Sequence, residues 1–246
     1  TAAIVQNVTC NNGNNGSLNA TATAGTAPFS YQWSPNAGSS TGQSVTGLSP
    51  GSYTVTVTDA SGCSSINLIN LPNPPPITST NNITNVSCNG GANGSITLNP
   101  SAGLAPYSFN WSPVAGTNAT LGSLAAGAYN CTITDANGCE ALVNVIISQP
   151  HALIADFNID ETFGCTPLTV NLLNTSVGTI ASSTWNFGNG SVSTGTNASY
   201  TYTQGGCYGI SLTVMSPTGC LATTSVDSLV CVVTGPTAGF AATTSD

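Results

Sequence analysis

Residues 27–63 read APFSYQWSPNAGSSTGQSVTGLSPGSYTVTVTDASGC, and residues 105–139 read APYSFNWSPVAGTNATLGSLAAGAYNCTITDANGC. The second stretch restates the first. Cys10, Pro28 and Trp33 recur 78 residues later at Cys88, Pro106 and Trp111, whereas Tyr53, Asp59, Gly62 and Cys63 recur 76 residues later at Tyr129, Asp135, Gly138 and Cys139. The two-residue difference falls in the Gly/Ser/Thr-rich loop between Trp and Tyr, where a change of length disturbs no core. From Gly51 to Asp59 the chain alternates, with Tyr53, Val55 and Val57 on one face and threonines on the other. That is the period of a half-buried strand. Phe29, Tyr31 and Trp33 alternate likewise and put Trp33 at the centre of a core. A period near 78 residues suits a small β-sandwich and is too long for a solenoid repeat.

Working outward, residues 1–71 form a first unit, in which Asp59-Ala60-Ser61-Gly62 is a turn and Ser64 to Leu71 the final strand. Residues 72–76 are a Pro-rich linker that cannot pair as a central strand and reads as a stiff spacer. Residues 77–149 repeat the plan. A different unit occupies 152–234, with strand patterns around Leu168–Val170, Trp185–Phe187, Tyr200–Tyr202 and Cys207–Val214, joined by Gly/Asn turns. The tail 236–246 echoes Ala155-Asp156-Phe157 through Ala238-Gly239-Phe240 and reads as the first strand of a further, truncated unit. Both ends are those expected of a fragment of a longer array. The predicted fold class is all-β, a set of tandem immunoglobulin-like β-sandwiches in an extended array.

Composition narrows the function. The chain has no Lys or Arg, eight acidic residues and one His, for a net charge of -8. A nucleic-acid partner is excluded, because phosphate binding requires cations that displace counterions. Attraction to anionic lipid fails for the same reason, and no apolar run has the length of a membrane span. Yet the chain is 40% hydrophobic and only 3% charged, unlike a disordered chain. A surface so sparsely charged repels copies of itself weakly and permits close lateral packing.

Nine cysteines in such a chain indicate an oxidising compartment; no CxxC pair occurs to suggest a metal site. The simplest connectivity is one staple per unit: Cys10 with Cys63, Cys88 with Cys139. In the third unit, counting back from a turn at Ser216 to Gly219 sets Cys207 opposite Cys231, although a bulge in the long last strand would spoil that pair. Cys165 would then pair with Cys220. Cys131 is left over; it stands in the inward row Tyr129, Cys131, Ile133 and reads as a buried free thiol serving as a small hydrophobe.

No nucleophile, base and acid can be assembled. The lone His151 sits at a unit junction without an acidic or Cys partner beside it and reads as a solvated linker residue. Asp156, Asp160 and Glu161 read as surface charges rather than a glycosidase pair. Calcium is the one candidate cofactor, at the Asp59 and Asp135 turns, but each supplies a single carboxylate and an ordinary hairpin turn explains both. Asn-x-Ser/Thr triplets at Asn7, Asn19, Asn85, Asn110 and Asn174 are expected by chance in so Asn- and Thr-rich a chain.

These residues resemble a known module. Val8-Thr9-Cys10, Asn15-Gly16-Ser17, Ala27-Pro28-Phe29, Trp33-Ser34-Pro35, Gly51-Ser52-Tyr53 and Asp59-Ala60-Ser61-Gly62-Cys63, with their counterparts in the second unit, are similar to the SprB repeat of gliding-motility adhesins of Bacteroidetes. The third unit resembles a PKD domain through Trp185-Asn186-Phe187-Gly188-Asn189-Gly190, with Asn189 where that family usually has Asp, and with Cys207 in its Gly-Thr-Tyr position. The resemblance implies export by the type IX secretion system and display on the cell surface. It implies a non-enzymatic, extracellular structural or adhesive role. The partners implied are other copies or neighbouring units of the same protein, with a surface or glycan target for adhesion. Asp227-Ser228-Leu229 resembles the short O-glycan acceptor motif of the same bacteria, which makes Ser228 a candidate modification site. A self-assembling filament or sheath subunit is the first alternative. A carbohydrate-binding accessory module of a secreted hydrolase, which would need an exposed aromatic strip, is the second.

Overall fold

The computed structural model describes residues 1–236 and Gly239. The strand expected over 236–246 therefore lies, apart from Pro236 and Gly239, outside the described residues. Strands dominate, broken by Gly, Pro, Asn and Ser turns. Among the described residues no helix is long and apolar enough to cross a membrane.

The first sandwich is built from β1 (Ala2–Gln6), β2 (Gly16–Ala20), β3 (Ser30–Trp33), β4 (Ser44–Leu48), β5 (Gly51–Thr58) and β6 (Ser64–Leu71). Its two sheets run β1-β2-β4 and β3-β5-β6. The alternation read from Gly51 to Asp59 sets the register of β5 against β6, from Thr58 opposite Ser64 to Gly51 opposite Leu71. The inward rows meet in a core of Leu18, Trp33, Val45, Leu48, Tyr53, Val55 and Leu71. Two of its large members keep polar atoms satisfied: the Trp33 indole N–H donates to the Gly42 carbonyl at 2.9 Å, and the Tyr53 hydroxyl to the Ser49 carbonyl at 2.6 Å.

The second sandwich repeats this order with β7 (Thr78–Thr84), β8 (Gly94–Ser101), β9 (Ser108–Ser112), β10 (Thr120–Leu124), β11 (Gly127–Thr134) and β12 (Glu140–Ile147), in sheets β7-β8-β10 and β9-β11-β12. Ile96, Leu98, Trp111, Tyr129, Ile133 and Ile147 are buried at matching places. Cys131 is fully buried among them, opposite Trp111 on β9, and burial pushes its thiol pKa up.

The third sandwich has β13 (Phe157–Ile159), β14 (Phe163–Cys165), β15 (Leu168–Asn174), β16 (Ser182–Asn186), β17 (Val192–Thr194), β18 (Ala198–Tyr202), β19 (Gly206–Met215) and β20 (Leu221–Val233). A three-stranded sheet, β13-β15-β18, faces a five-stranded one, β14-β20-β19-β16-β17, in which β14 runs parallel to β20. Trp185 and Phe187 of the Trp-x-Phe-Gly motif are buried beside Tyr202, whose hydroxyl donates to the Phe187 carbonyl at 2.8 Å. Burial, and then the neighbouring Tyr200 and Tyr208, push the Tyr202 pKa up to about 12. Gly188 turns at φ +78°, and a Cβ there would stand 2.3 Å from the Gly209 carbonyl oxygen, so only glycine fits.

By internal contacts the described chain divides into two compact units. One takes in Thr1–Thr84, Ser95–Ser123 and Gly127–Ile147; the other takes in Asn85–Gly94, Leu124–Ala126 and the residues from 148 onward. The loop after β7, which carries Cys88, thus belongs with the third sandwich.

Candidate functional site: the cysteine junctions

Each sandwich contributes two cysteine positions. One lies between the first strand and the strand that pairs with it: Cys10 and Cys88 in the leading loops, and Cys165 at the end of β14, between β13 and β15. The other ends the closing turn, just ahead of the last strand: Cys63, Cys139 and Cys220.

The closing turns are three copies of one device. In the first, the Asp59 N–H donates to the Cys63 carbonyl and the Gly62 N–H to the Asp59 carbonyl, both at 3.0 Å. Asp135–Cys139 repeats both bonds, and Ser216–Cys220 repeats them at 2.9 and 3.0 Å. Side chains clamp the turns as well. Asp59 Oδ1 accepts from the N–H groups of Ser61 and Cys63, each at 2.9 Å, and Oδ2 accepts from Thr26 N–H at 3.1 Å. Asp135 does the same with Asn137, Cys139 and Leu104, and Ser216 Oγ accepts from Cys220 N–H. Donation from Thr26 and Leu104 above all holds the Asp59 and Asp135 carboxyls below the ordinary carboxylate range. Their oxygens are directed at backbone amides, which is the chemistry of a turn clamp.

The leading loops are a second repeated device. Asn12 N–H donates to Asn73 Oδ1 at 2.8 Å and Asn11 Nδ2 to the Pro74 carbonyl at 2.8 Å, so the Pro-rich linker is held by the loop of the sandwich before it. In the same way Gly90 N–H donates to Gln149 Oε1 at 2.7 Å and Asn89 Nδ2 to the Pro150 carbonyl at 3.0 Å.

The disulfides join the two devices across sandwiches. Cys10 is bonded to Cys139 with Cα atoms 5.4 Å apart, and Cys88 to Cys220 at 5.7 Å. The expected staples Cys10–Cys63, Cys88–Cys139 and Cys165–Cys220 do not form; Cys63 and Cys165 are free and exposed. The reason is geometric. The leading loop of the first sandwich bonds to Asn73 and Pro74, beyond the end of β6, whereas Cys63 precedes its start. Eight strand residues at about 3.3 Å each separate those ends by about 26 Å, and a disulfide requires Cα atoms within about 7 Å. A cysteine in the leading loop therefore meets the closing turn of the next sandwich, not its own. The surroundings of the two junctions match: Cys139 Sγ lies 3.4 Å from the Thr9 carbonyl oxygen, and Cys220 Sγ 3.3 Å from the Ser87 carbonyl oxygen.

Cys207 and Cys231 lie opposite each other on β19 and β20, bonded with Cα atoms 4.1 Å apart. The bulge anticipated in the last strand is present, between Val226 and Val230, and the register recovers beyond it in time for the pair. Ser228 sits in that bulge, exposed and at φ +52°. A cleft of about 490 Å³ beside Cys88 and Cys220 is lined by His151, Leu153 and Leu221, among others; His151 is exposed there. Asp156 and Asp160 are turned to local amides, Asp160 to both the backbone and side-chain nitrogens of Asn171 at 2.7 Å. Trp33, Trp111 and Trp185 are all buried, and none contributes to an exposed aromatic strip.

No curated protein matches the chain. Among solved structures, the PKD1 domain of the Vibrio cholerae metalloprotease PrtV is 33% identical over 31% of this chain and 93% of its own length, with a TM-score of 0.28. The PKD1 domain of Vibrio anguillarum Epp is 32% identical over 35% of this chain and all of its own, at 0.30. Three N-terminal domains of the bacteriophage RB49 outer capsid protein Hoc are 12% identical over 96% and 99%, at 0.44. The SprB repeat matches residues 2–38 and 80–116, and the PKD domain matches residues 148–231. The chain thus carries SprB repeats at residues 2–38 and 80–116 and a PKD domain at residues 148–231.

Proposed function

We propose that this chain is a load-bearing segment of a non-enzymatic extracellular protein, structural or adhesive, displayed at a bacterial surface. The observation that carries the reading is the pair of disulfides from leading loop to next closing turn, Cys10–Cys139 and Cys88–Cys220. A staple inside one sandwich protects that sandwich alone. Bonds that bridge successive sandwiches make a covalent path that bypasses most of the cores, so tension reaches them only partly. SprB repeats, a PKD domain and three disulfides in one chain support placement outside the cell. The absence of Lys and Arg denies trypsin-like proteases a cleavage site. Adhesion or gliding is the role that the SprB repeats favour within this reading.

Pulling the chain from its ends tests the proposal. In the oxidised protein the shortest covalent route between the two junctions runs along Cys88 to Cys139. Reduction therefore releases about 550 Å of hidden length, at about 3.3–3.6 Å per residue. Equal contour lengths with and without reductant would overturn the load-bearing role.

A further inference from the structure

The pairing rule leaves a remainder. Of nine cysteines, six are bonded and Cys131 is buried; Cys63 and Cys165 remain, both exposed. They are of opposite kinds. Cys63 ends a closing turn, and Cys165 ends β14, between the paired strands β13 and β15, as Cys10 and Cys88 lie between the paired strands β1 and β2 and β7 and β8. Bonds already run from the first leading loop to the second closing turn and from the second leading loop to the third. What is left over is the third leading loop and the first closing turn.

The seat at Cys63 is built like the occupied one at Cys139. Gly25 and Gly103 both take a positive φ, and a Cβ on either would press on the carboxylate of Asp59 or Asp135. Beside Cys139 the seat lies in a cleft of about 660 Å³ to which the leading-loop residues Thr9, Cys10 and Asn11 contribute. Beside Cys63 the equivalent surface, with Gly25, Phe29, Asp59 and Ser64, lines a cleft of about 310 Å³ to which no leading loop contributes.

We infer that Cys63 is a disulfide docking site for the leading-loop cysteine of another sandwich, and that its occupant is Cys165 of a second copy, which joins copies head to tail. The step needs an oxidant of the disulfide class, such as oxidised glutathione. The Cys63 thiolate attacks one sulfur of that disulfide and expels a thiolate; the Cys165 thiolate of the second copy then attacks the Cys63 sulfur and expels the other half. Two protein thiols are oxidised, one small disulfide is reduced to two thiols, and each attacking thiol gives up its proton to solvent. The inference rests on the proposed extracellular setting only for its oxidising conditions.

Purified chain in a glutathione redox buffer tests it by non-reducing electrophoresis and by mapping of peptic fragments. The expected result is a ladder in steps of 24.4 kDa whose linked peptides contain Cys63 and Cys165. Cys63→Ser and Cys165→Ser alter exposed thiols outside every core. Each alone should stay monomeric, and a mixture of the two should give one covalent dimer and nothing larger. Dimers from either variant alone, glutathione adducts without cross-links, or reshuffled intrachain bonds would each overturn the inference. Of these, dimers from a single variant and glutathione adducts leave the length released by reduction unchanged, so the inference can fail while the load-bearing reading stands. Reshuffled intrachain bonds would change that length as well and would count against both.

Discussion

The turns Asp59–Cys63 and Asp135–Cys139 share their residue pattern, their backbone hydrogen bonds and their carboxylate clamp, yet Cys139 is bonded and Cys63 is free. What separates them is not local. Cys139 has the leading loop of another sandwich against it, and Cys63 does not. A turn is thus a property of five residues, and a junction is a property of two domains. The third turn extends the lesson, because Ser216 replaces the aspartate, keeps the clamp through Oγ, and still delivers Cys220 to Cys88.

The comparison can be broken most severely at sulfur. Cys139→Ser combined with Cys10→Ser should cost about 5 kcal/mol if loop-closure entropy dominates for so long a loop. Cys63→Ser should leave stability unchanged; urea unfolding followed by tryptophan fluorescence distinguishes the two. Next come the cores, where the two repeats should behave alike. Trp33→Ala and Trp111→Ala should each cost about 3–5 kcal/mol. A clear inequality between them would mean that the junction also supports the core of the second repeat.

Acid sharpens the contrast between the first two turns and the third. Asp59 and Asp135 have folded pKa values below their ordinary 3.8. Their contribution is therefore fully present above that value and is lost as pH falls through the lowered folded value. Thermal midpoints of the native chain should drop as the pH falls below about 4, and Asp135→Asn should remove more of that dependence than Asp59→Asn, because Asp135 is the more buried. Ser216→Ala should weaken its turn equally at all pH values. The smallest effect is expected at Cys131: Cys131→Val fills the same inward position that Val55 holds in the first repeat and should shift stability by less than about 1.5 kcal/mol. A thiol reagent should label Cys63 and Cys165 in the native chain and reach Cys131 only on unfolding.

Much of the architecture was legible without coordinates. Alternation from Tyr53 to Val57 dictates a strand with one buried face, and Asp-x-x-Gly-Cys dictates the turn that follows, because both depend on neighbours a few residues apart. The buried Cys131 was readable for the same reason, as was the Cys207–Cys231 pair, which follows from counting back through one hairpin. The other pairings were not. Repeat arithmetic assigns Cys10 and Cys63 to one unit, and spacing alone cannot distinguish a staple within a sandwich from a bond to the next. The strand Ser64–Leu71 did hold a signal: a chain that runs extended from the turn to the linker carries Cys63 far from Asn73 and Pro74. The Pro-rich linker read as a stiff spacer, and nothing local shows that Asn11 and Asn12 hold it.

Sequence by itself determined the strands, the turns, the cores and the family of each sandwich, since all of these follow from short-range periodicity and composition. Tertiary structure alone decided which cysteines meet across sandwiches. Disulfide formation requires two Cα atoms within a few ångströms, and here that proximity is created by residues more than a hundred positions apart.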